Sequence, residues 1–219
     1  MLRPGDRVFD VGANVGHWTL ALAGMGCRVI AVEPQSTCAA TIASETTREM
    51  DVTVVVAAVG AEAGEAELFL ASTTEMASTA RPWMEAMVER AGVPADFWHG
   101  STLVPVRTLD DLIDEFGLPA YIKLDVEGSE SQAIAGLGRA VRLLSFETHG
   151  QTIEDARMAV ARLLELGRYE FNLSPGEYQK LEWSEWRGAR DLLRALEDAP
   201  FGWNNVFARI ATAADSGRS

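Results

Sequence analysis

"VFDVGANVGHWTLALAGMGCRVIAVEP", residues 8–34, sets two apolar runs around a glycine-rich turn. "RVFDVG" reads as a short buried strand that stops at Gly12. "VGHWTLALAGMG" places Val15, Trp18, Leu22 and Met25 at helical spacing and ends at Gly26. "CRVIAVE" is a second strand, rich in β-branched residues, and Glu33 closes it. A buried strand followed by a helix does not need Gly12, Asn14 and Gly16 in one turn for stability. Glycines at 12 and 16 remove side chains where a ligand would lie against the backbone. The next helix offers N–H groups and a positive dipole end to a carboxylate or phosphate. A carboxylate at a strand end, here Glu33, can accept two hydrogen bonds from a ribose diol. The competing reading is that the glycines serve only a tight turn and close packing.

The rest of the chain is consistent with one domain spanning residues 1–210 and a flexible tail, 211–219. The 219 residues are 47% hydrophobic, enough for a real core. Lys and Arg number 19 against 32 Asp and Glu, a formal charge of −13, which disfavours nucleic acid and anionic membranes as partners. Cys27 and Cys38 form neither a disulfide framework nor a zinc spacing. The N-terminus has no apolar signal segment, and no run approaches the ~18 apolar residues of a membrane span. A cytoplasmic protein is expected.

Strand and helix alternate almost throughout, which predicts a doubly wound α/β sheet. Ser36 is the expected cap of a helix over "STCAATIASETTREM". "VTVVVAAVG" reads as a third strand covered on both faces, and "EAELFLA" as an extra one. Residues 72–103 are irregular apart from a short helix opened by Pro82. "LVPVRT" resumes a strand, "TLDDLIDEFG" is a helix capped by Thr108 and stopped by Gly117, and "YIKLDVEG" and "RLLSFETHG" are strands. Residues 174–203 form a second irregular segment, and both segments are expected on the substrate side. In such sheets ligands sit beyond the carboxyl ends of the strands, where strand order switches.

A dinucleotide would use G-x-G-x-x-G, with glycines at 12, 14 and 17. Asn14 and His17 stand at two of those positions. The turn suits a smaller anionic group, such as the carboxylate of S-adenosylmethionine. The ribose would then go to Glu33 and the adenine to the end of strand three, beside Ala57 and Ala58.

"FDVGANVG", "AVEP", "TLDDLI", "IKLDVEGSE" and "FETHG" occur in that order. Together they resemble the FkbM family of S-adenosylmethionine-dependent methyltransferases. The resemblance implies the class I methyltransferase fold: a Rossmann-like, mostly parallel seven-stranded sheet with helices on both faces. It also implies methyl transfer to a hydroxyl of a sugar or secondary metabolite. By position it gives Asp10, Gly12, Ala13, Asn14 and Gly16 the cofactor role and Glu33 the ribose role. It sets Lys123, Asp125, Glu127, Gly128 and Glu130 beside the methionine end and the acceptor. Two departures stand out. The chain starts almost at its first strand, where family members carry a cover. Ala57 and Ala58 replace an Asn often found there, which leaves adenine contacts to backbone groups.

Lys123, Asp125 and Glu127 alternate along one strand and share a face. Lys123 is expected to pair with Asp10, Asp125 or Glu147, as structural support. A base for the hydroxyl is expected at His149 first, then Asp125, with Glu147 beside them. No metal spacing is present, although Asp125, Glu127, Glu147 and His149 are donors that suit Mg²⁺ or Mn²⁺. Glu130 reads either as a ligand-side group or as charge at a helix N-terminus. His17 is a packing or capping residue, and His99 has no assigned role. Trp83, Phe97, Trp98, Trp183, Trp186 and Trp203 either wall an acceptor pocket or pack under loops and at a homodimer contact. Function therefore reads as O-methyl transfer to a small molecule. The rivals are a nucleotide-binding oxidoreductase, a non-catalytic cofactor-binding protein of the same fold, and methyl transfer to nitrogen or carbon.

Overall fold

The computed structural model describes residues 2–149, 153–176, 180–198 and 203–211, with the backbone alone for His149 and Trp203. Its centre is β1 (Arg7–Val11), which pairs in parallel with β2 (Arg28–Val32) on one side and β7 (Tyr121–Leu124) on the other. Beyond β2 lies β3 (Asp51–Val55). Beyond β7 lie β8 (Leu143–His149), β10 (Trp203–Ile210) and β9 (Tyr169–Pro175). The seven-stranded order is β3-β2-β1-β7-β8-β10-β9, parallel except for β10, which runs antiparallel to both neighbours. The chain winds outward from β1 to β3 and returns to β7 across β1. Strand order therefore switches between β1 and β7, and a crevice is expected at their carboxyl ends.

Alternation along β1 assigns its faces. Val8 and Val29 pack with Leu22 and Ala23 of α1 (His17–Gly24). Phe9, Val11, Ile30 and Val32 pack on the opposite face with Leu109, Leu112 and Ile113 of α4 (Leu109–Phe116) and Ile134 of α5 (Glu130–Ala135). α4 begins as read from sequence. Thr108 accepts from Asp111 N–H, Asp111 returns the bond to Thr108 N–H, and Gly117 ends the helix.

Several expectations fail for identifiable reasons. The stripe Val15, Trp18, Leu22, Met25 is not the buried one. α1 buries Thr19, Leu22 and Ala23, while Trp18 is 39% and Met25 55% exposed. "HWTLALAG" is apolar on several sides, so its period alone does not choose a face. Ser36 is not the cap of α2 (Ser36–Glu45). Gln35 holds that place, and its N–H is taken by the Glu33 carboxylate. The third apolar run divides: β3 is a half-buried edge strand, Val56 is exposed, and β4 (Ala58–Val59) joins a second sheet.

That sheet, ordered β4-β6-β5, is built from β5 (Gly64–Ala71) and β6 (Trp98–Arg107). β6 starts at Trp98, within the stretch read as irregular. Its first residues are largely solvent-facing, so no buried alternation marks them. Between the two strands lie a 3₁₀ turn, Thr74–Met76, and α3 (Arg81–Ala91), opened by Pro82. The C-terminal half contains α6 (Ile153–Leu166) and α7 (Ala189–Asp198). α7 falls within residues 174–203; its buried Leu192 and Leu196, four apart, are the signal that sequence reading passed over.

Candidate active site

A cavity of about 200 Å³ opens at the carboxyl ends of β1, β2 and β7. Gly12, Ala13, Asn14, Glu33, Ala58, Asp125 and Glu127 all line it, joined by His17, Trp18, Gln35, Thr74 and Lys123. Asp10, Gly16 and Glu147 are not among the lining residues. His149 ends β8, and its side chain lies outside the described part of the molecule.

The glycines serve packing. Gly12 has φ +76, and a β-carbon there would fall on the Asp125 carbonyl oxygen of the neighbouring strand end. Gly16 has φ +90, and its β-carbon would meet Ile42 at 2.9 Å. Protein thus fills the β-carbon direction at both positions, while the Gly12 backbone still lines the cavity. Four of the turn's N–H groups are also spent internally. Gly12 and Ala13 donate to Val32 O, Gly16 donates to Ala13 O at 2.8 Å, and Asn14 donates to Glu33 Oε2 at 2.8 Å.

Glu33 is 3% exposed. Its Oε1 accepts from Gln35 N–H at 2.8 Å, so both oxygens are fixed by backbone donors. Burial pushes its pKa up, and the Gln35 and Asn14 N–H groups oppose that. Oε1 also accepts from Gln35 Nε2 at 3.3 Å, Oε2 keeps a lone pair, and the residue lines the cavity. A strap crosses here: Gln35 Nε2 donates to Thr74 O at 2.8 Å, and Thr74 Oγ1 donates to Asn14 Oδ1 at 3.2 Å.

A buried ion chain supports the other end. Lys123 Nζ lies 2.9 Å from Asp125 Oδ2 and 3.7 Å from Asp10 Oδ1, and Thr19 Oγ1 donates to Asp10 Oδ2 at 2.6 Å. Burial works against the Lys123 ammonium, but Asp125 and Asp10 outweigh it and raise its pKa. Asp10, fully buried, thus lies beneath the cavity as an anchor for Lys123 and α1. Lys123 pairs as the sequence suggested.

Asp125, Glu127 and Glu147 converge, each offering an oxygen within 4.8 Å of the others. Glu127 has the left-handed φ of +52, is 7% exposed, and its Oε2 is buried with no hydrogen-bond donor. Burial first, then Asp125, Glu147 and Glu130, push the Glu127 carboxyl well up. Glu147 is raised by burial and by Asp125. Glu130 points away from the cavity: it accepts from Val126 N–H at 2.9 Å and Gly128 N–H at 3.0 Å, pinning the 126–128 turn. Burial raises it to about 8, opposed by the Val126 N–H and helped by the Asp155 and Asp125 carboxylates.

The accessory segment is docked on the same turn. Ser78 Oγ donates to Glu127 O at 2.6 Å, and Thr79 and Ser129 hydroxyls meet at 2.9 Å. A β-carbon on Gly128 would fall on the indole of Trp83. Trp83 packs edge-on to Trp98, whose Nε1 donates to Met76 O. These aromatics pack the cover. Trp183 and Trp186 lie under Arg187 and Arg209, outside the cavity. His17, read as a packing residue, lines the cavity, whereas His99 is exposed on β6.

This fold, with a ligand crevice at the β1/β7 switch, is that of class I methyltransferases. Precorrin-6y C5,15-methyltransferase from Geobacter metallireducens has it: 12% identity, TM-score 0.51, covering 96% of this chain and 82% of that one. A SAM-dependent O-methyltransferase from Thermotoga maritima aligns at 15% identity and TM-score 0.42, over 96% of this chain and 61% of that one. The methyltransferase FkbM domain matches residues 10–173, and the chain belongs to that family. No curated protein sequence matches it. Among the described residues, no helix is long and apolar enough to cross a membrane.

Proposed function

We propose that this protein transfers the methyl group of S-adenosylmethionine to a hydroxyl of a small molecule, a sugar or other secondary metabolite. The observation that carries the reading is one cavity with a backbone-fixed carboxylate, Glu33, at one end and the Asp125–Glu127 carboxylates at the other. The donor fits these residues. Glu33 Oε2 has a lone pair to receive a ribose hydroxyl, and Ala57 and Ala58 offer small side chains and backbone groups beside the adenine. Asp125 and Lys123 border the methionine end.

When bound, S-adenosylmethionine supplies a methyl carbon already activated by a sulfonium. The protein must align the acceptor oxygen with that carbon and exclude water, which is worth ~7–11 kcal/mol. The Thr74 strap and the residues 77–79 docked on the Glu127 turn border the cavity and serve that exclusion. Asp125, held by Lys123, stands where the acceptor hydroxyl gives up its proton. It is the first choice for the base among the described side chains, ahead of Glu147, and His149 remains the companion candidate at the end of β8.

Calorimetric titration tests this. Saturable binding of S-adenosylhomocysteine, with none for NAD(P)⁺, is expected, followed by labelled methyl incorporation into some member of a hydroxylated-acceptor panel. Binding of NAD(P)⁺ alone would overturn the reading in favour of an oxidoreductase. Cofactor-product binding with no methyl acceptor in a broad panel would favour a non-catalytic protein.

A further inference from the structure

We propose that Asp125, Glu127 and Glu147 hold one divalent cation, Mg²⁺ or Mn²⁺, at the acceptor end of the cavity. Three independent features converge on it. Asp125 and Glu147 directly follow Leu124 and Phe146, which are paired in register on the parallel strands β7 and β8. The sheet therefore fixes their separation. Glu127 returns toward them from the left-handed turn, and each of the three residues offers an oxygen within 4.8 Å of the others. An octahedral ion with bonds of ~2.1 Å spans about 4.2 Å between opposite ligands, so small side-chain rotations close the set.

The second feature is the Glu127 Oε2 atom. It is buried without a donor on a residue only 7% exposed, in the wall of the cavity. A buried carboxylate oxygen left without a partner is costly. The contrast within the same turn is sharp. Glu130 receives two backbone N–H groups, and the Glu127 carbonyl receives the Ser78 hydroxyl.

The third feature is the distribution of charge. The Lys123 ammonium is already shared between Asp125 and Asp10. Glu127 adds a further carboxylate to that face. A doubly charged ion would offset this excess. The donors are all carboxylate oxygens, which suits hard ions that keep several waters. Those waters are the places an acceptor would take. An acceptor with two neighbouring oxygens, a vicinal diol or a hydroxy-carbonyl compound, would replace two of them and have its hydroxyl acidified by the ion. That role rests on the methyl-transfer reading; binding of the ion does not.

The test uses Mn²⁺ alone, without cofactor or acceptor. Paramagnetic resonance of free Mn²⁺ is followed as the full-length protein is added. Loss of signal saturating at one ion per chain, reversed by Mg²⁺, is expected. Glu127→Gln and Glu147→Gln should each weaken it by ~10-fold or more, while the exposed Glu115→Gln leaves it unchanged. Thermal unfolding of each variant, with Mn²⁺ raising the midpoint of the wild type only, checks that the losses are local. Absence of saturable binding by the wild type overturns the proposal whatever the variants do. Binding that survives both substitutions overturns it too. Either failure leaves S-adenosylhomocysteine titration free to support or reject the methyl-transfer reading separately.

Discussion

The two ends of the cavity treat a buried carboxylate in opposite ways. Glu33 has a backbone N–H on each oxygen, so its position is set before any ligand arrives. Glu127 is nearly as buried, yet its Oε2 has no donor, and like charges surround it. The first arrangement is a preformed clasp whose cost is offset by the fold. The second stores an electrostatic cost that only a proton or a cation can relieve. One end is therefore read from its hydrogen bonds, the other from what it lacks.

The largest expected effect tests the frame that both ends share. Gly12→Val forces a branched side chain onto the Asp125 carbonyl and should cost more than ~4 kcal/mol, seen as insoluble protein or loss of cooperative unfolding. A Gly12→Val protein with wild-type thermal stability would refute the packing account of the turn. Next, Lys123→Met leaves Asp10 buried without its ammonium partner and should cost ~3–5 kcal/mol in denaturant unfolding. A neutral result would mean that Asp10 does not depend on Lys123.

At the Glu33 end, Glu33→Gln keeps the volume but loses the charge-assisted bonds. It should weaken S-adenosylhomocysteine binding by ~1.5–3 kcal/mol, measured by calorimetry. Wild-type affinity would detach the ribose from Glu33. A smaller effect comes from Glu130. Its folded pKa of about 8 exceeds the ordinary value of 4.5, so the folded state holds the proton longer than the unfolded chain. Its contribution to stability is full below ~4.5 and is lost as pH climbs toward 8. The unfolding midpoint should drop by a few degrees, ~2–4 °C per kcal/mol, between pH 5.5 and 8.5. A midpoint that rises over that range would show the backbone N–H donors winning over burial. The smallest effect is the most discriminating: Glu127→Gln should change metal-free stability by less than ~1 kcal/mol, or raise it, because no donor is lost. A large destabilisation would place Glu127 in the same class as Glu33.

Much of the Glu33 end was legible. Apolar runs and helical spacing along residues 8–34 gave two strands and a helix, and Glu33 at a strand end gave a cavity wall. Thr108 and Gly117 marked α4 because caps are local chemistry. What stayed hidden depends on chain segments far apart. The Thr74 strap meets Asn14 from sixty residues away in sequence. The first half of β6 faces solvent and carries no alternation. The reason for Gly12 lies in a neighbouring strand that sequence does not show beside it. Glu147 lies close to Asp125, with which it was grouped, but the orphaned oxygen of Glu127 has no signature in residue order.

Because the neighbouring strand end occupies the space beside Gly12, that glycine is a requirement of assembly. A descendant that ceased to modify anything would still have to keep it in order to fold. The opening turn is thus a marker of ancestry and architecture, and evidence of a working catalyst has to come from the far end of the crevice.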